Sequence, residues 1–215
     1  MSRLYKEYII ETFNEDGSVK EVSFKKDEYY NFAYDVVDRL AAEKPEKLAM
    51  VWCNEAGDEK FITFKEMKEY SDKTASFFQS LGIKKGDPVM LILKRHYEWW
   101  YCMMALHKIG AIAIPATNQL MTKDIVYRVN AASIKAIVCT AEGQISDLVD
   151  EAQRETETLS IKVIVRGKKD GWVSYEEGIA TAPDFVPPTG EDRPKAEEIM
   201  LMYFSSGTTG MPKMV

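Results

Sequence analysis

Apolar residues recur at two spacings along this chain, and the changes from one to the other mark its elements. Met67, Tyr70, Thr74, Phe77, Phe78 and Leu81 fall at helical intervals behind Thr63 and Glu66, which have the spacing of a capping box. They predict a helix ending at Gly82. Phe32, Val36, Val37, Leu40 and Ala41 predict an earlier helix that stops before Pro45. Between the two, Leu48 to Cys53 and Lys60 to Thr63 flank the turn-forming run Asn54-Glu55-Ala56-Gly57-Asp58 and read as a hairpin.

After Gly86-Asp87-Pro88 the pattern alternates. Short apolar runs at Val89 to Leu93, Ala111 to Ile114, Ala136 to Cys139 and Ile161 to Val165 are separated by helical stretches at Trp99 to Ile109, Thr122 to Ala132 and Ile145 to Ala152. Repeated β-α-β order predicts an α/β fold, a mostly parallel sheet flanked by helices with right-handed crossovers. Trp99 and Trp100, adjacent aromatics in a nearly all-apolar helix, are expected in the core. His96 and His107 have no acidic or cysteine partner at ligand spacing and receive no metal-binding role. The stretch 180–194 holds four of the eight prolines and reads as a linker or surface loop.

Composition narrows the function classes. Apolar residues at 46% and charged residues at 29% describe a chain that folds. The formal net charge is −6 and the basic residues are dispersed among acids, so the footprint of a nucleic-acid binder is missing. The three cysteines, Cys53, Cys102 and Cys139, form no C-x-x-C pair, which argues against a disulfide framework or structural zinc and predicts a reducing, cytoplasmic setting. Met1 to Glu11 carries alternating charges instead of a basic segment followed by an apolar one and does not read as a secretion signal, and Trp99 to Leu106 is far short of the roughly 20 residues that span a bilayer. No membrane span is expected.

The chemistry gathers at the end. The apolar run Ile199 to Phe204 leads into Ser205-Ser206-Gly207-Thr208-Thr209-Gly210-Met211-Pro212-Lys213-Met214-Val215. Glycines let backbone N–H groups turn toward an anion, the four hydroxyls donate to phosphate oxygens, and Lys213 is the only charged side chain after Glu198. A polar surface turn would account for the hydroxyls alone. The fixed string S-G-T-T-G-x-P-K, however, has a chance probability below roughly 10⁻⁸ per starting position at average residue usage. It is not a Walker A loop: counted from Gly207, that motif needs glycine at 212 and serine or threonine at 214, where Pro212 and Met214 stand. A G-x-G-x-x-G dinucleotide fingerprint is absent as well.

Tyr203 to Lys213 resembles the phosphate loop of the adenylate-forming (AMP-binding) superfamily of acyl-CoA synthetases, luciferases and peptide-synthetase adenylation domains. The surrounding chain resembles the medium-chain and short-chain acyl-CoA synthetases within it, at Tyr30 to Val36, Glu98-Trp99-Trp100, Lys123 to Arg128, Gly171-Trp172 and Pro212-Lys213-Met214. Met214 favours that subfamily, because most of the superfamily has glycine after the lysine.

The resemblance implies the large N-terminal domain of such an enzyme, with residues 1–28 as an extension and 29–215 as the front of a domain that continues past Val215. It implies a ligase that uses ATP, Mg²⁺ and coenzyme A to convert a short- to medium-chain carboxylic acid to acyl-AMP and then acyl-CoA. Ser205, Ser206, Gly207, Thr208, Thr209, Gly210 and Lys213 would hold the β- and γ-phosphates. Catalytic residues are expected downstream of Val215, so the stretch in hand is expected to be inactive alone. Two other readings are an adenylation domain that loads a carrier protein and a non-catalytic nucleotide-binding or interaction module.

Overall fold

The structure, a computed structural model, describes residues 4–25, 27–205 and 210–215. An N-terminal hairpin comes first, β1 (Ile9–Phe13) antiparallel to β2 (Val19–Phe24). Sequence reading assigned no element there. Asp16 Oδ1 accepts the Ser18 amide at 2.9 Å and closes the turn. A π-helical stretch, Ala33–Asp38, runs into α1 (Arg39–Glu43), which ends before Pro45 as expected. β3 (Leu48–Cys53) and β4 (Glu59–Thr63) then form the predicted hairpin, with the Asn54 amide on the Asp58 carbonyl at 3.1 Å. The capping box at Thr63 is made: the Thr63 hydroxyl accepts the Glu66 amide and the Glu66 carboxylate accepts the Thr63 amide. It opens α2 (Phe64–Ser80).

The alternating segment forms β5 (Pro88–Ile92), α3 (Glu98–Ile109), β6 (Ile112–Pro115), α4 (Thr122–Ala132), β7 (Ala136–Thr140), α5 (Ile145–Gln153) and β8 (Ile161–Val165). Two elements that were not expected follow, β9 (Val173–Ser174) and α6 (Tyr175–Thr181). Every pairing in this sheet is parallel, in the order β6-β5-β7-β8-β9.

Buried strands with a period of two feed two cores. Val89, Leu91, Val138 and Val163 pack on one side with Phe78, Tyr101 and Tyr175 from α2, α3 and α6. Met90, Ile92, Ile137 and Ile164 pack on the other with Ile125, Val129, Ile145 and Val149 from α4 and α5. The chain steps from β5 to β6 in one direction and then returns past β5 to β7. Its helices therefore lie on both faces, and the strand order reverses at β5.

Trp100 corrects the expectation of a core pair. It is 47% exposed, whereas Trp99 is half-buried against the α2–α3 core. The proline-rich stretch lies on the surface and is pinned to it. Lys85 Nζ donates to the Glu191 and Arg193 carbonyls at 2.9 and 3.1 Å, and Gly110, with φ of +71°, leaves room for Pro194, whose Cγ would lie 3.1 Å from a β-carbon there. Beyond it, Leu201 bridges to Ala113 in the parallel sense, so residues 200–202 extend the sheet past β6.

Candidate functional site

The predicted phosphate loop rises from a hairpin. β10 (Phe204–Ser205) runs antiparallel to β11 (Lys213–Met214), with Phe204 opposite Met214 and Ser205 opposite Lys213. Tyr203 and Val215 extend the stem through reciprocal backbone hydrogen bonds of 2.9 and 2.8 Å. Ser205 Oγ donates to the Lys213 carbonyl at 3.4 Å. Of the seven candidate residues, Ser205, Gly210 and Lys213 are described and all three are exposed; Ser206, Gly207, Thr208 and Thr209 lie outside the described residues. Lys213 makes no ion pair among the described residues.

Helix α4 meets this hairpin. Tyr127 Oη donates to the Pro212 carbonyl at 2.7 Å, and its ring stands edge-on to Phe204 with centroids 6.2 Å apart. The Arg128 guanidinium lies over the same Phe204 ring at 5.2 Å and donates to the Asp124 carbonyl at 3.0 Å.

A second concavity, about 840 Å³, opens at the carboxyl ends of the central strands against the β3–β4 turn. Crevices of this kind, where parallel strand order reverses, are the usual ligand sites of open α/β sheets. Its lining includes Trp52, Lys94, His96, Thr117, Glu142 and Arg166. Lys94 and Arg166 hold φ at +47° and +61°, a left-handed conformation uncommon outside glycine and concentrated at functional positions. Arg166 forms a two-pronged pair with Glu98 at 3.1 and 2.9 Å and lies over the Trp52 and Tyr97 rings at 5.1 and 4.8 Å. Lys94 pairs with Glu142 at 2.9 Å, and its hydrogen bond holds that carboxyl below the usual range. His96 is buried with Nε2 2.8 Å from Thr140 Oγ1; burial first, and then the Arg166 charge, push its pKa down, which keeps it neutral at pH 7.

Sequence reading did not assemble this crevice. The available signal was Lys94-Arg95-His96 placed directly after a wholly apolar strand. A larger cavity of about 970 Å³ is lined by Tyr5, Tyr8, Phe24 and Tyr30 near the N-terminal hairpin and contains none of the loop residues.

The family model for AMP-binding enzymes matches residues 37–215, from the first helix through the hairpin. The chain belongs to the AMP-binding enzyme family. Within it, the chain is 34% identical over 195 residues to acyl-coenzyme A synthetase ACSM5, mitochondrial, of Rattus norvegicus, covering 87% of this chain and 33% of that protein. It is 37% identical over 194 residues to ACSM4, mitochondrial, of the same organism, covering 86% and 32%, and 35% identical over 194 residues to ACSM3, mitochondrial, of Homo sapiens, covering 87% and 32%.

The chain thus spans about a third of the length of these relatives. The crystal structure of the anthranilate CoA ligase AuaEII in complex with anthranoyl-AMP superposes with a TM-score of 0.74 at 22% identity, over 88% of this chain and 35% of that one. At that identity the likeness is one of fold, and it confirms the α/β architecture. The cytoplasmic expectation is overturned by the relatives, all three of which are named as mitochondrial. Free cysteines speak only to redox conditions, which do not single out one compartment. No helix among the described residues is long and apolar enough to cross a membrane.

Proposed function

We propose that this AMP-binding chain supplies the ATP-phosphate grip of an acyl-CoA ligase, one that activates a short- to medium-chain carboxylic acid as acyl-AMP and passes the acyl group to coenzyme A. The observation that carries the reading is the β10–β11 hairpin: its stem sets Ser205 opposite Lys213 at the base of a loop made of hydroxyls, glycines and one cation. The names of the relatives, acyl-coenzyme A synthetases, support the same chemistry.

In the first step a carboxylate oxygen bonds to the α-phosphorus of ATP, the α–β anhydride breaks, and pyrophosphate leaves with the electron pair. In the second, the CoA sulfur bonds to the acyl carbon, the acyl C–O bond breaks with AMP taking the electron pair, and the thiol proton is released to solvent. A carboxylic acid is already ionised at pH 7, so the nucleophile needs no general base. The difficulty is the approach of an anion to a polyanion, and donors fixed on the leaving pyrophosphate answer it. In this reading Ser205, Ser206, Gly207, Thr208, Thr209, Gly210 and Lys213 are those donors. The segment after Glu198 contains hydroxyls and no carboxylate, so in this reading its part is to hold phosphate oxygens, while Mg²⁺ would neutralise charge on the leaving pyrophosphate.

Acid-dependent ATP–pyrophosphate exchange by the full-length protein tests the reading. Short- and medium-chain aliphatic acids should drive exchange above aryl acids and amino acids. Exchange driven only by the latter would remove the proposed acid class, and no exchange with any acid would remove the ligase reading.

A further inference from the structure

Two residues per strand cannot hold a long loop in place, since even complete two-stranded ribbons are marginal in water. The hairpin must take its position from its surroundings: residues 200–202, just before it, bond to Ala113, Phe204 packs on the core cluster that α4 and α5 help form, and α4 adds ring and hydrogen-bond contacts to both arms. Ile125 and Val129 anchor that helix in the core with no exposure, while the intervening Tyr127 and Arg128 face the hairpin. Together they touch both arms: Phe204 at the start of β10, and Pro212 immediately before β11.

Pro212 has no N–H, so its carbonyl is its sole backbone hydrogen-bonding group, and Tyr127 occupies it at 2.7 Å. Lys213 is the next residue. The bond therefore fixes the peptide from which the one cation of the loop projects.

We infer that Tyr127 is a positioning residue for the ATP polyphosphate, acting through Pro212 and Phe204 and touching no substrate itself. The inference rests on the assignment of the hairpin to ATP phosphates. Without the clamp every donor is still present, but the Pro212–Lys213 peptide is held less firmly, ATP must fix it on binding, and that cost is subtracted from affinity. The effect should fall on ATP and spare the step in which pyrophosphate has already left.

Tyr127→Phe in the full-length protein keeps the ring and deletes the hydroxyl. Its KM for Mg-ATP in pyrophosphate exchange should rise about 3- to 10-fold, as expected for one hydrogen bond. The KM for the acid, and thioester formation from supplied acyl-AMP, should stay within about twofold. Phe204→Leu, which removes the ring that Tyr127 and Arg128 share, should shift the same constant in the same direction.

An unchanged KM for Mg-ATP in both variants overturns the inference, and so does an equal loss in both half-reactions, the mark of general misfolding. If the unsubstituted protein performs no exchange, the ligase reading falls and the clamp with it. Exchange with an unshifted KM removes the clamp alone.

Discussion

Lys213 stands exposed at the stem of a loop cleared of acids, with no carboxylate to neutralise it among the described residues. A charge-assisted hydrogen bond contributes about 1.5–3 kcal/mol, or roughly 10- to 150-fold in rate if it acts in the adenylation transition state. Lys213→Ala should slow acyl-AMP formation by about that factor and leave thioester formation from pre-made acyl-AMP nearly unchanged. Single-turnover measurement of each half-reaction checks this; a change below about twofold in both would make Lys213 a solvated turn residue.

The loop string was legible in the sequence because its residues are consecutive. Tyr127 was visible only within a similar stretch, since its partner Pro212 lies 85 residues away and no local pattern encodes such a contact. Trp100 was misjudged for a geometric reason. Adjacent residues on a helix point about 100° apart, so one core rarely receives both.

Among the elements, the π-helical stretch, α2 and α3 meet at one buried cation. Lys108 on α3 has no exposed surface; its Nζ lies 2.8 Å from Asp38, 2.6 Å from Asp72 and 3.0 Å from Ser71. Burial pushes the Asp38 pKa up, and the Lys108 charge pulls against that rise. Lys108→Met leaves Asp38 buried without its cation and should cost about 3–5 kcal/mol of stability. Adding Asp38→Asn should restore much of the loss, a coupling that chemical denaturation of the single and double variants would measure.

The sign with pH follows from the raised pKa. In Lys108→Met the Asp38 carboxyl takes up a proton more readily folded than unfolded, so the deficit should shrink as pH falls and grow as pH rises through the folded-state value. The strands β5 through β8 are legible as short apolar runs, and the helices between them as stretches of helical periodicity. Pattern reading missed α6 although Ser174 and Glu177 carry a capping spacing, and the Ser174 hydroxyl does accept the Glu177 amide at 3.4 Å. That helix is short, and its fit depends on Gly178, where a β-carbon would lie 2.2 Å from the Phe77 ring.

At the scale of the molecule, apolar side chains are left uncovered at several places among the described residues, the N-terminal hairpin and the C-terminal sheet edge included. Phe13, Val22 and Phe24 are exposed on the N-terminal hairpin, and Ile199, Met200, Tyr203 and Met214 near the sheet edge that begins at Leu201. Residues 200–202 pair with β6 on one side and have no strand on the other among the described residues. Open edges and exposed apolar patches promote association. The 215-residue chain in isolation should elute earlier from size-exclusion columns as its concentration rises. A single monomeric peak across the concentration series would contradict this.

The span between Tyr127 and Pro212 also fixes an order of events during synthesis. At ribosomal rates of about 5–20 residues per second, the 85 positions separating them take roughly 4–17 s to emerge. Helix α4 and the strands beneath it have that interval in which to assemble before Pro212 is made. The nascent hairpin then reaches a docking surface that has had time to form, so it is seated after the helix that holds it.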